Sequence, residues 1–151
     1  SQQRVGINGK HFKIYKLRSM IVNAEKNGAV FASVKDTRVT KFGRFLRKSR
    51  FDEIPQFINV ILGDMSVIGP RPERPVFVKE LSEKIPFYEI RHIVKPGVTG
   101  WAQVNAKYGV SQDDALEKLQ YDLYYIKHRS FFLDINIVFK TLSTIIFFRG
   151  Q

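Results

Sequence analysis

Apolar and polar residues change their period several times along this chain, and the first pattern predicts a short β-hairpin. Asn8-Gly9 lies between Val5-Gly6-Ile7 and Phe12-Lys13-Ile14-Tyr15, and this dipeptide tolerates the positive φ angles of a tight turn. Alternation along the second strand puts four side chains on one face: Phe12, Ile14, Lys16 and Arg18. Two cations on one face suit a phosphate, although two solvated cations on an edge strand have the same spacing.

A helical stripe follows residues 23–36, a polar segment without a sustained period that predicts an irregular loop. The stripe begins at Thr40, and its apolar positions are Phe42, Phe45 and Leu46. Basic side chains occupy the rest of that helix surface: Lys41, Arg44, Arg47 and Lys48. A basic amphipathic helix of this kind either solvates its charges or lies on anionic headgroups.

A second helical stripe extends over Phe51–Leu62, and Gly63 is well placed to end it. This spacing puts Asp52 at or near the helix N-cap, with Pro55 in the first turn, where a missing N–H breaks no intrahelical bond. The adjacent carboxylates Asp52 and Glu53 would then face the positive end of the helix dipole, so both are expected to be ionised near neutral pH. An ordinary helix start has the same pattern, and the pair alone does not establish an active site.

The second half of the chain predicts a stiff loop, a turn, a short strand and two long helices. Prolines on both sides of Arg71 restrict its backbone. Pro96-Gly97 predicts a type II turn within 95–100, and Trp101–Val104 is interpreted as a short strand. A long helix is predicted beyond Ser111, and Asp134 is expected to cap a last helix. We expect the inner face of the last helix to pack in the core, and its apolar stripe consists of Ile135, Val138, Phe139, Leu142, Ile145 and Ile146.

These elements predict an α+β fold made mainly of amphipathic helices, with the short N-terminal hairpin and small strand elements. At 151 residues the chain fits a single domain, 1–151, that buries about two-thirds of the surface of its unfolded form. The longest apolar runs, Phe57–Leu62 and Leu142–Phe148, are far shorter than the roughly 20 residues of a membrane-spanning helix. Because the chain begins at Ser1 without Met, we interpret it as a fragment truncated at its N-terminus.

Charge and composition narrow the classes of partner. The chain has 25 Lys and Arg against 14 Asp and Glu, a formal net charge of +11, so its field attracts anions such as nucleic acid, anionic lipid or phosphorylated small molecules. The absence of cysteine excludes disulfides and thiolate chemistry. We interpret three histidines without zinc-type spacing as structural or solvated: His11, His92 and His128.

Basic residues near the carboxylate pair point towards phosphate chemistry. Arg47 lies five residues before Asp52, Arg71 is held on its proline-flanked loop, and Lys16 and Arg18 share the strand face. Phosphoryl transfer needs several cations around the phosphate oxygens, often a divalent metal, and a nucleophile in line. An aspartate can itself be that nucleophile.

Several longer motifs carry a resemblance to a known family. They are Phe12-Lys13-Ile14-Tyr15-Lys16-Leu17-Arg18-Ser19-Met20, Asp52-Glu53-Ile54-Pro55-Gln56, Asn59-Val60-Ile61-Leu62-Gly63-Asp64-Met65-Ser66, Gly69-Pro70-Arg71-Pro72-Glu73 and Lys95-Pro96-Gly97-Val98-Thr99-Gly100-Trp101-Ala102-Gln103-Val104-Asn105. In this order, from Arg4 to about Thr144, they resemble the bacterial sugar transferase family, the monotopic polyprenyl-phosphate phosphoglycosyl transferases. The match covers the catalytic domain and lacks the N-terminal membrane helix typical of the family.

The resemblance implies a membrane-surface enzyme on the cytoplasmic face of the bacterial inner membrane. Such an enzyme moves a sugar 1-phosphate from a nucleotide diphosphate sugar, usually a UDP-sugar, to undecaprenyl phosphate and releases UMP. This reaction is the first membrane step of exopolysaccharide, O-antigen or glycan assembly. The implied partners are the nucleotide sugar, the polyprenyl phosphate and the lipid surface, with no nucleic acid.

The resemblance also implies roles for single residues. Asp52 matches the nucleophile of a two-step covalent mechanism, and Glu53 matches a second acid for Mg²⁺ binding or proton handling. Both carboxylates are expected to be the Mg²⁺ ligands, since magnesium prefers oxygen donors. The basic residues expected near the substrate phosphates are Lys16, Arg18, Arg47, Arg71 and Lys107.

The chain departs from the family pattern at two positions. Asn105-Ala106-Lys107 stands where members commonly have Asn-Gly-Arg, so Lys107 keeps the charge without the planar fork of arginine. Arg50 stands where many members have serine, and this extra cation either tunes substrate choice or binds headgroups.

Other functions remain as alternatives to the transferase. A noncatalytic basic module that binds nucleic acid or an anionic membrane explains the net charge. It leaves the carboxylate pair and the Pro-Arg-Pro loop unexplained. A phosphatase or a nucleotidyl transferase with the same carboxylates predicts free phosphate or retained nucleotide instead of UMP.

Overall fold

A computed structural model describes residues 2–24, 36–106, 109 and 111–146, and it confirms the predicted α+β class. Lys107, the end of the chain from residue 147 and most of the predicted loop 23–36 lie outside the described residues. The strands are β1 (Gln2–Val5), β2 (His11–Ile14), β3 (Ser66–Ile68) and β4 (Gly97–Thr99). The α-helices are α1 (Lys41–Lys48), α2 (Gln56–Ile61), α3 (Pro75–Lys84), α4 (Trp101–Asn105), α5 (Gln112–His128) and α6 (Phe131–Ile146).

The predicted N-terminal hairpin is present, with a longer connection than a two-residue turn. Strands β1 and β2 pair antiparallel, with Gln2 opposite Ile14 and Val5 opposite His11. Asn8 and Gly9 adopt the expected positive φ angles, 52° and 74°. Because β2 ends at Ile14, the predicted strand face does not extend to residues 16 and 18.

Strands β3 and β4 form a parallel pair that the sequence pattern did not reveal, with Ser66 opposite Gly97. The predicted type II turn at Pro96-Gly97 is wrong, because Gly97 lies within β4 and the backbone of Gly69 packs against it. A Cβ at Gly97 would collide with the Gly69 backbone N. Glycine is therefore required here because two backbone segments approach closely, and not because of a positive φ.

The predicted strand Trp101–Val104 is also wrong, because these residues form the first turns of helix α4. The Val104 N–H donates to the Gly100 carbonyl at 3.2 Å and closes the first helical turn. The Asn105 side chain then donates to the Trp101 carbonyl at 2.8 Å. Local hydrogen bonds of this kind outweigh the weak β preference of a short apolar run.

The main core lies between the hairpin, α3, α5 and a 3-10 segment at Tyr88–Ile93. Its buried side chains are Val5, Val78, Ile85, Tyr88 and Leu119. Helix α5 confirms its prediction, since the Ser111 hydroxyl accepts a hydrogen bond from the Asp114 N–H in a capping box. In a second cluster, Phe12 and Ile14 of β2 pack with Met65. These two clusters hold the hairpin in place beside the helices.

Helix α1 begins after Thr40, as predicted, and packs on the segment that follows β2. The Thr40 hydroxyl accepts from the Gly43 N–H at 2.9 Å, and the Thr40 N–H donates to the Ser19 carbonyl at 3.1 Å. Gly43 touches the Ser19 backbone so closely that a Cβ has no room. The basic helix is thereby fixed beside residues 15–19.

Phe51–Leu62 is not the continuous α-helix that its spacing predicts. Phe51–Glu53 forms a 3-10 turn whose N-cap is Arg50 at a φ of 57°, and α2 starts only after Pro55. Asp52 therefore lies inside this turn and does not cap an α-helix. Pro55 accounts for the break, because it has no N–H to donate to the Phe51 carbonyl; the Ile54 N–H donates there instead, at 3.3 Å.

Burial along 51–62 is opposite to that of an ordinary surface helix. The polar side chains point into the protein, and they are Asp52, Glu53, Gln56 and Asn59. Most apolar side chains point outwards, with Ile61 85% exposed, and the others are Ile54, Phe57, Ile58 and Leu62. Val60 is the exception, because it packs against the cluster of Phe12, Ile14 and Met65. An exposed apolar face of this size on a folded chain indicates an interaction surface.

Helix α6 begins at Phe131, so Asp134 lies in its first turn rather than at its cap. The Leu133 N–H donates to the Ser130 hydroxyl at 3.3 Å instead. Ile137 is fully buried, but the stripe expected in the core is mostly exposed, including Ile135, Val138, Phe139, Leu142 and Ile146. None of the described helices has the length and apolarity needed to cross a membrane.

Candidate active site

Glu53 is the centre of a cluster of cations. Its Oε1 atom lies 2.9 Å from Arg71 Nη2 and 3.9 Å from Lys16 Nζ, and its Oε2 atom lies 3.3 Å from Arg50 Nη1. Burial alone would raise the pKa of the Glu53 carboxyl, but the charges of Arg71, Lys16 and Arg50 lower it to about 2. Glu53 is therefore ionised and has cations at both oxygens.

Asp52 is buried beside the same cluster but has fewer partners. Its Oδ2 atom lies 3.8 Å from Lys16 Nζ, and its side chain accepts no hydrogen bond from the described residues. Burial raises the pKa of Asp52, and the neighbouring charge of Lys16 opposes that shift. The sequence predicted that a helix dipole would favour the ionised form of Asp52, whereas burial in the structure favours the protonated form. A desolvated carboxylate with free lone pairs is a competent nucleophile.

Lys16 bridges the two carboxylates from the segment after β2. Burial, together with the charge of Arg71, lowers the pKa of Lys16 to about 8, although Glu53 and Asp52 oppose this. Arg71 has a raised pKa because it pairs with Glu53. Lys16 lies between two acids and has a pKa close to neutral pH. A solvated surface ion pair would not shift the pKa of a lysine in this way.

Asn59 of α2 explains how Lys16 reaches the carboxylates. The fully buried Asn59 side chain accepts from the Tyr15 N–H at 3.0 Å and donates to the Lys13 carbonyl at 2.8 Å. The Leu17 N–H then donates to the Asp52 carbonyl at 3.1 Å. These three bonds hold the backbone on both sides of Lys16 against the turn that carries the acids.

The structure brings together some of the predicted site residues and not others. Lys16 and Arg71 pair directly with the carboxylates, and the charge of Arg47 contributes to the pKa of Asp52. Arg47 is held by its Nε, which donates to the Ser19 hydroxyl at 2.9 Å. Arg18 is exposed and forms no ion pair with either acid among the described residues, so its contact with the substrate phosphates stays a prediction. Lys107 falls outside the described residues.

Arg50 is the site residue that the spacing did not assign. The sequence marked it only as a departure, either for substrate choice or for headgroups, whereas its guanidinium pairs with Glu53. Its left-handed backbone directs the side chain back along the turn towards the acid three residues later. Such a backbone is uncommon for a residue other than Gly, Asn or Asp, and no local sequence signal announces it.

The donor set fits a divalent cation only when a ligand completes it. No group of three or more carboxylate or imidazole side chains converges in the part of the chain that the structure describes. Magnesium is usually held by one or two carboxylates, with waters and substrate phosphates filling the remaining positions. Asp52 and Glu53 are two such carboxylates. They lie close enough together that a single cation, Lys16 Nζ, is 3.8 and 3.9 Å from one oxygen of each.

Known proteins match this chain over nearly its whole length. The family model described as "Bacterial sugar transferase" matches residues 1–148. A UDP-N-acetylgalactosamine-undecaprenyl-phosphate N-acetylgalactosaminephosphotransferase of Aeromonas hydrophila is 54% identical over 145 residues, which are 96% of this chain and 34% of that protein. A UDP-glucose:undecaprenyl-phosphate glucose-1-phosphate transferase of Escherichia coli K12 is 46% identical over 145 residues, 93% of this chain and 31% of that protein.

A third relative carries a different sugar in its name. Galactosyl transferase CpsE of Streptococcus agalactiae is 38% identical over 161 residues, which are 99% of this chain and 35% of that protein. The chain thus spans about a third of the length of these three relatives. Their names share a sugar transfer and differ in the sugar.

Proposed function

Because this chain belongs to the bacterial sugar transferase family, we propose that the protein transfers a sugar 1-phosphate from a UDP-sugar to undecaprenyl phosphate and releases UMP. The names of its relatives support this reaction, since two of them specify both substrates. The observation that carries the proposal is that two adjacent buried acids differ in how many ion pairs they form. Glu53 is paired at both oxygens, whereas Asp52 has one long ion pair.

Asp52 is the nucleophile of the proposed reaction. A carboxylate oxygen of Asp52 attacks the sugar-bearing phosphorus, and the bond from that phosphorus to the bridging oxygen breaks, so that UMP leaves with the electron pair. A phosphate oxygen of undecaprenyl phosphate then attacks the same phosphorus and displaces Asp52. The second step restores the carboxylate and forms the lipid diphosphate sugar.

The remaining residues stabilise and orient charge around this phosphorus. Arg71 and Lys16 face the acids from two different segments and can contact the oxygens of the diphosphate. Glu53 keeps these cations ordered before substrate binds. Asp52 and Glu53 would also hold Mg²⁺, which supplies neutralisation of the diphosphate charge when bound.

A UDP-sugar panel tests the reaction class. The protein in its native membrane is incubated with Mg²⁺, undecaprenyl phosphate and each UDP-sugar, and UMP and intact protein mass are measured. We expect UMP from one or a few donors and, without the lipid acceptor, a sugar phosphate adduct on the protein. Free phosphate would indicate a phosphatase, and nucleotide retained on the product would indicate a nucleotidyl transferase. Salt-dependent binding to DNA without release of UMP would indicate the noncatalytic basic module.

The pKa of Lys16 predicts an alkaline limit to activity. The protonated ammonium is the form that contacts phosphate, so kcat/KM for the UDP-sugar should fall as pH rises through about 8. Replacing Lys16 with arginine removes this limb, because arginine remains charged throughout the range. A pH profile of UMP release checks this, and an identical alkaline limb in Lys16→Arg would contradict it.

We also propose that the exposed apolar face of 51–62, together with a row of aromatic rings that continues from Phe51 onto α1, lies on the lipid surface. Phe42, Phe45 and Phe51 form a row with ring centroids 6.4 and 6.5 Å apart, and Phe42 is 68% exposed. Exposed cations of α1 flank the row, and they are Lys41, Arg44 and Lys48. Aromatic rings among basic residues suit the headgroup region of an anionic bilayer. The proposed location is the cytoplasmic face of the bacterial inner membrane, where UDP-sugars are available.

Replacing Phe42 and Phe45 together with serine should weaken membrane binding by about 100-fold. Each buried aromatic ring contributes about 1.5 kcal/mol or more to insertion. Co-sedimentation of the 151-residue chain with phosphatidylglycerol vesicles measures the change. Val76→Ser is the matched control, since Val76 is exposed on α3 outside the row. Equal losses in both variants would reject this face as the membrane surface.

A further inference from the structure

The loop that carries Arg71 is anchored through four consecutive carbonyl oxygens. The Pro70 carbonyl accepts from the Gly97 N–H at 2.9 Å, and the Glu73 carbonyl accepts from the Val5 N–H at 2.9 Å. Two arginine side chains supply the other bonds. Arg4 Nη1 donates to the Pro72 carbonyl at 3.3 Å, and Arg91 Nη2 donates to the Arg71 carbonyl at 2.9 Å.

Arg91 is the most deeply buried of these side-chain anchors. Its Nη1 donates to the Tyr88 hydroxyl at 2.6 Å, and its Nη2 lies 2.7 Å from Asp122 Oδ2 in an ion pair. The side chains of Arg91 and Asp122 are 6% and 2% exposed. A charge this deep is costly without partners, and the network connects helix α5, through Asp122, to the loop.

The contact with Arg71 distinguishes this network from a structural ion pair. Arg91 bonds the backbone of the residue whose own guanidinium lies 2.9 Å from Glu53. Prolines on both sides of Arg71 have no N–H to donate, so the loop depends on its carbonyls for anchoring. A shift at the Arg71 carbonyl moves the guanidinium relative to the acids.

We propose that Arg91 is a positioning residue for the transfer reaction: with Tyr88 and Asp122 it holds the Pro70–Pro72 loop so that Arg71 meets Glu53 and the substrate diphosphate. The inference rests on the proposed function, since it assigns Arg91 to that site. Arg91 itself is too deeply buried among its partners to contact the substrate and acts through Arg71.

A double-mutant cycle, measured on the protein in its native membrane, tests this. Arg91→Lys keeps a positive charge beside Asp122. It loses the planar guanidinium that contacts Tyr88, Asp122 and the Arg71 carbonyl at the same time. We expect it to lower kcat/KM for UMP release by about 10- to 100-fold, since small misplacements have effects of this size. In an Arg71→Gln background the same change should cost less than about 3-fold, because the residue that it positions is gone. The loss should fall on kcat rather than KM, as contacts that strengthen in the transition state require.

Tyr88→Phe is the milder variant if Arg91→Lys does not fold. It removes the hydroxyl that orients Arg91 and should show a smaller loss with the same dependence on Arg71. Tyr125→Phe is the matched control, because Tyr125 is as buried as Tyr88 and its hydroxyl donates to Asp134 at 3.0 Å, away from the loop. Unchanged kcat in both test variants, or equal losses with and without Arg71, would overturn the inference.

Amide hydrogen exchange separates this inference from the proposed function. If the wild-type protein releases no UMP from any UDP-sugar, the proposed function fails, and anchoring of the loop is still measured directly. Exchange at the Gly97 and Val5 amides, which donate to the loop carbonyls, should accelerate in Arg91→Lys or Tyr88→Phe but not in Tyr125→Phe. Unchanged exchange in the test variants would contradict the anchoring role.

Discussion

Asp52→Asn is expected to abolish the sugar phosphate adduct and to lower the rate of UMP release by at least about 10³-fold. Loss of a covalent nucleophile has effects of this order or larger. The amide has nearly the shape of the carboxylate, and Asp52 has one long ion pair in the described structure, so the fold should be retained. Intact mass after incubation with the UDP-sugar, and UMP release with the lipid acceptor, measure the two effects.

The matched control for this change is Asp113→Asn, at an exposed acid in the first turn of α5. It removes the same charge from the protein but not from the cluster, and its adduct and turnover should equal those of the wild type. An adduct that still forms on Asp52→Asn would show that another residue is the nucleophile.

Glu53→Gln is expected to impair both activity and stability. The glutamine side chain has no charge to offset Arg71, Arg50 and Lys16, whose side chains are 34%, 18% and 27% exposed. Breaking a fully buried pair costs roughly 3–5 kcal/mol, and partial solvent screening here reduces that to about 2 kcal/mol. The activity should fall by about 10²-fold with an altered dependence on Mg²⁺, because one of two proposed ligands is weakened.

The stability loss in Glu53→Gln should depend on pH. The folded-state pKa of Glu53 is about 2, below its ordinary value of 4.5, so the ionised acid stabilises the fold fully above pH 4.5. That contribution declines as pH falls from 4.5 towards 2. Urea unfolding at pH 7 and pH 3 should therefore show a smaller difference between wild type and Glu53→Gln at the lower pH.

Glu80→Gln is the surface control for this measurement. Glu80 pairs with Lys84 at 2.7 Å, but both side chains are about half exposed, and exposed pairs contribute little. Its free energy of unfolding should remain within about 0.5 kcal/mol of the wild type. Unchanged unfolding and kinetics in Glu53→Gln would remove Glu53 from the site.

The sequence predicted those elements whose signals are local. Asn8-Gly9 predicted the hairpin because its positive φ angles are a property of the dipeptide. The helices predicted from Thr40 and beyond Ser111 begin at those residues, because each is an N-cap whose side chain bonds within its own first turn. Pro96-Gly97 was misinterpreted because the pairing of β4 with a strand about 30 residues earlier decides its conformation. Trp101–Val104 was misinterpreted because local hydrogen bonds close a helical turn there.

In the candidate site, too, local features are visible in the sequence and contacts between distant residues are not. Adjacent acids, a proline-flanked arginine and nearby cations are visible in the sequence, and the family motifs assign them to one reaction. Distances are not visible there. Arg50 enters the cluster through a left-handed backbone, Arg18 stays outside it, and Arg91 reaches the loop from 20 residues away.

The segment 51–62 shows most clearly what each level decides. Its periodicity determined that one side is apolar and the other polar, because helical geometry sorts residues by spacing. Periodicity does not state which side faces the protein. Tertiary contacts decided that, because Asn59 bonds the backbone around Lys16 and the cations neutralise the acids, so the polar side is satisfied inside. The apolar side is left outwards, beside the carboxylates.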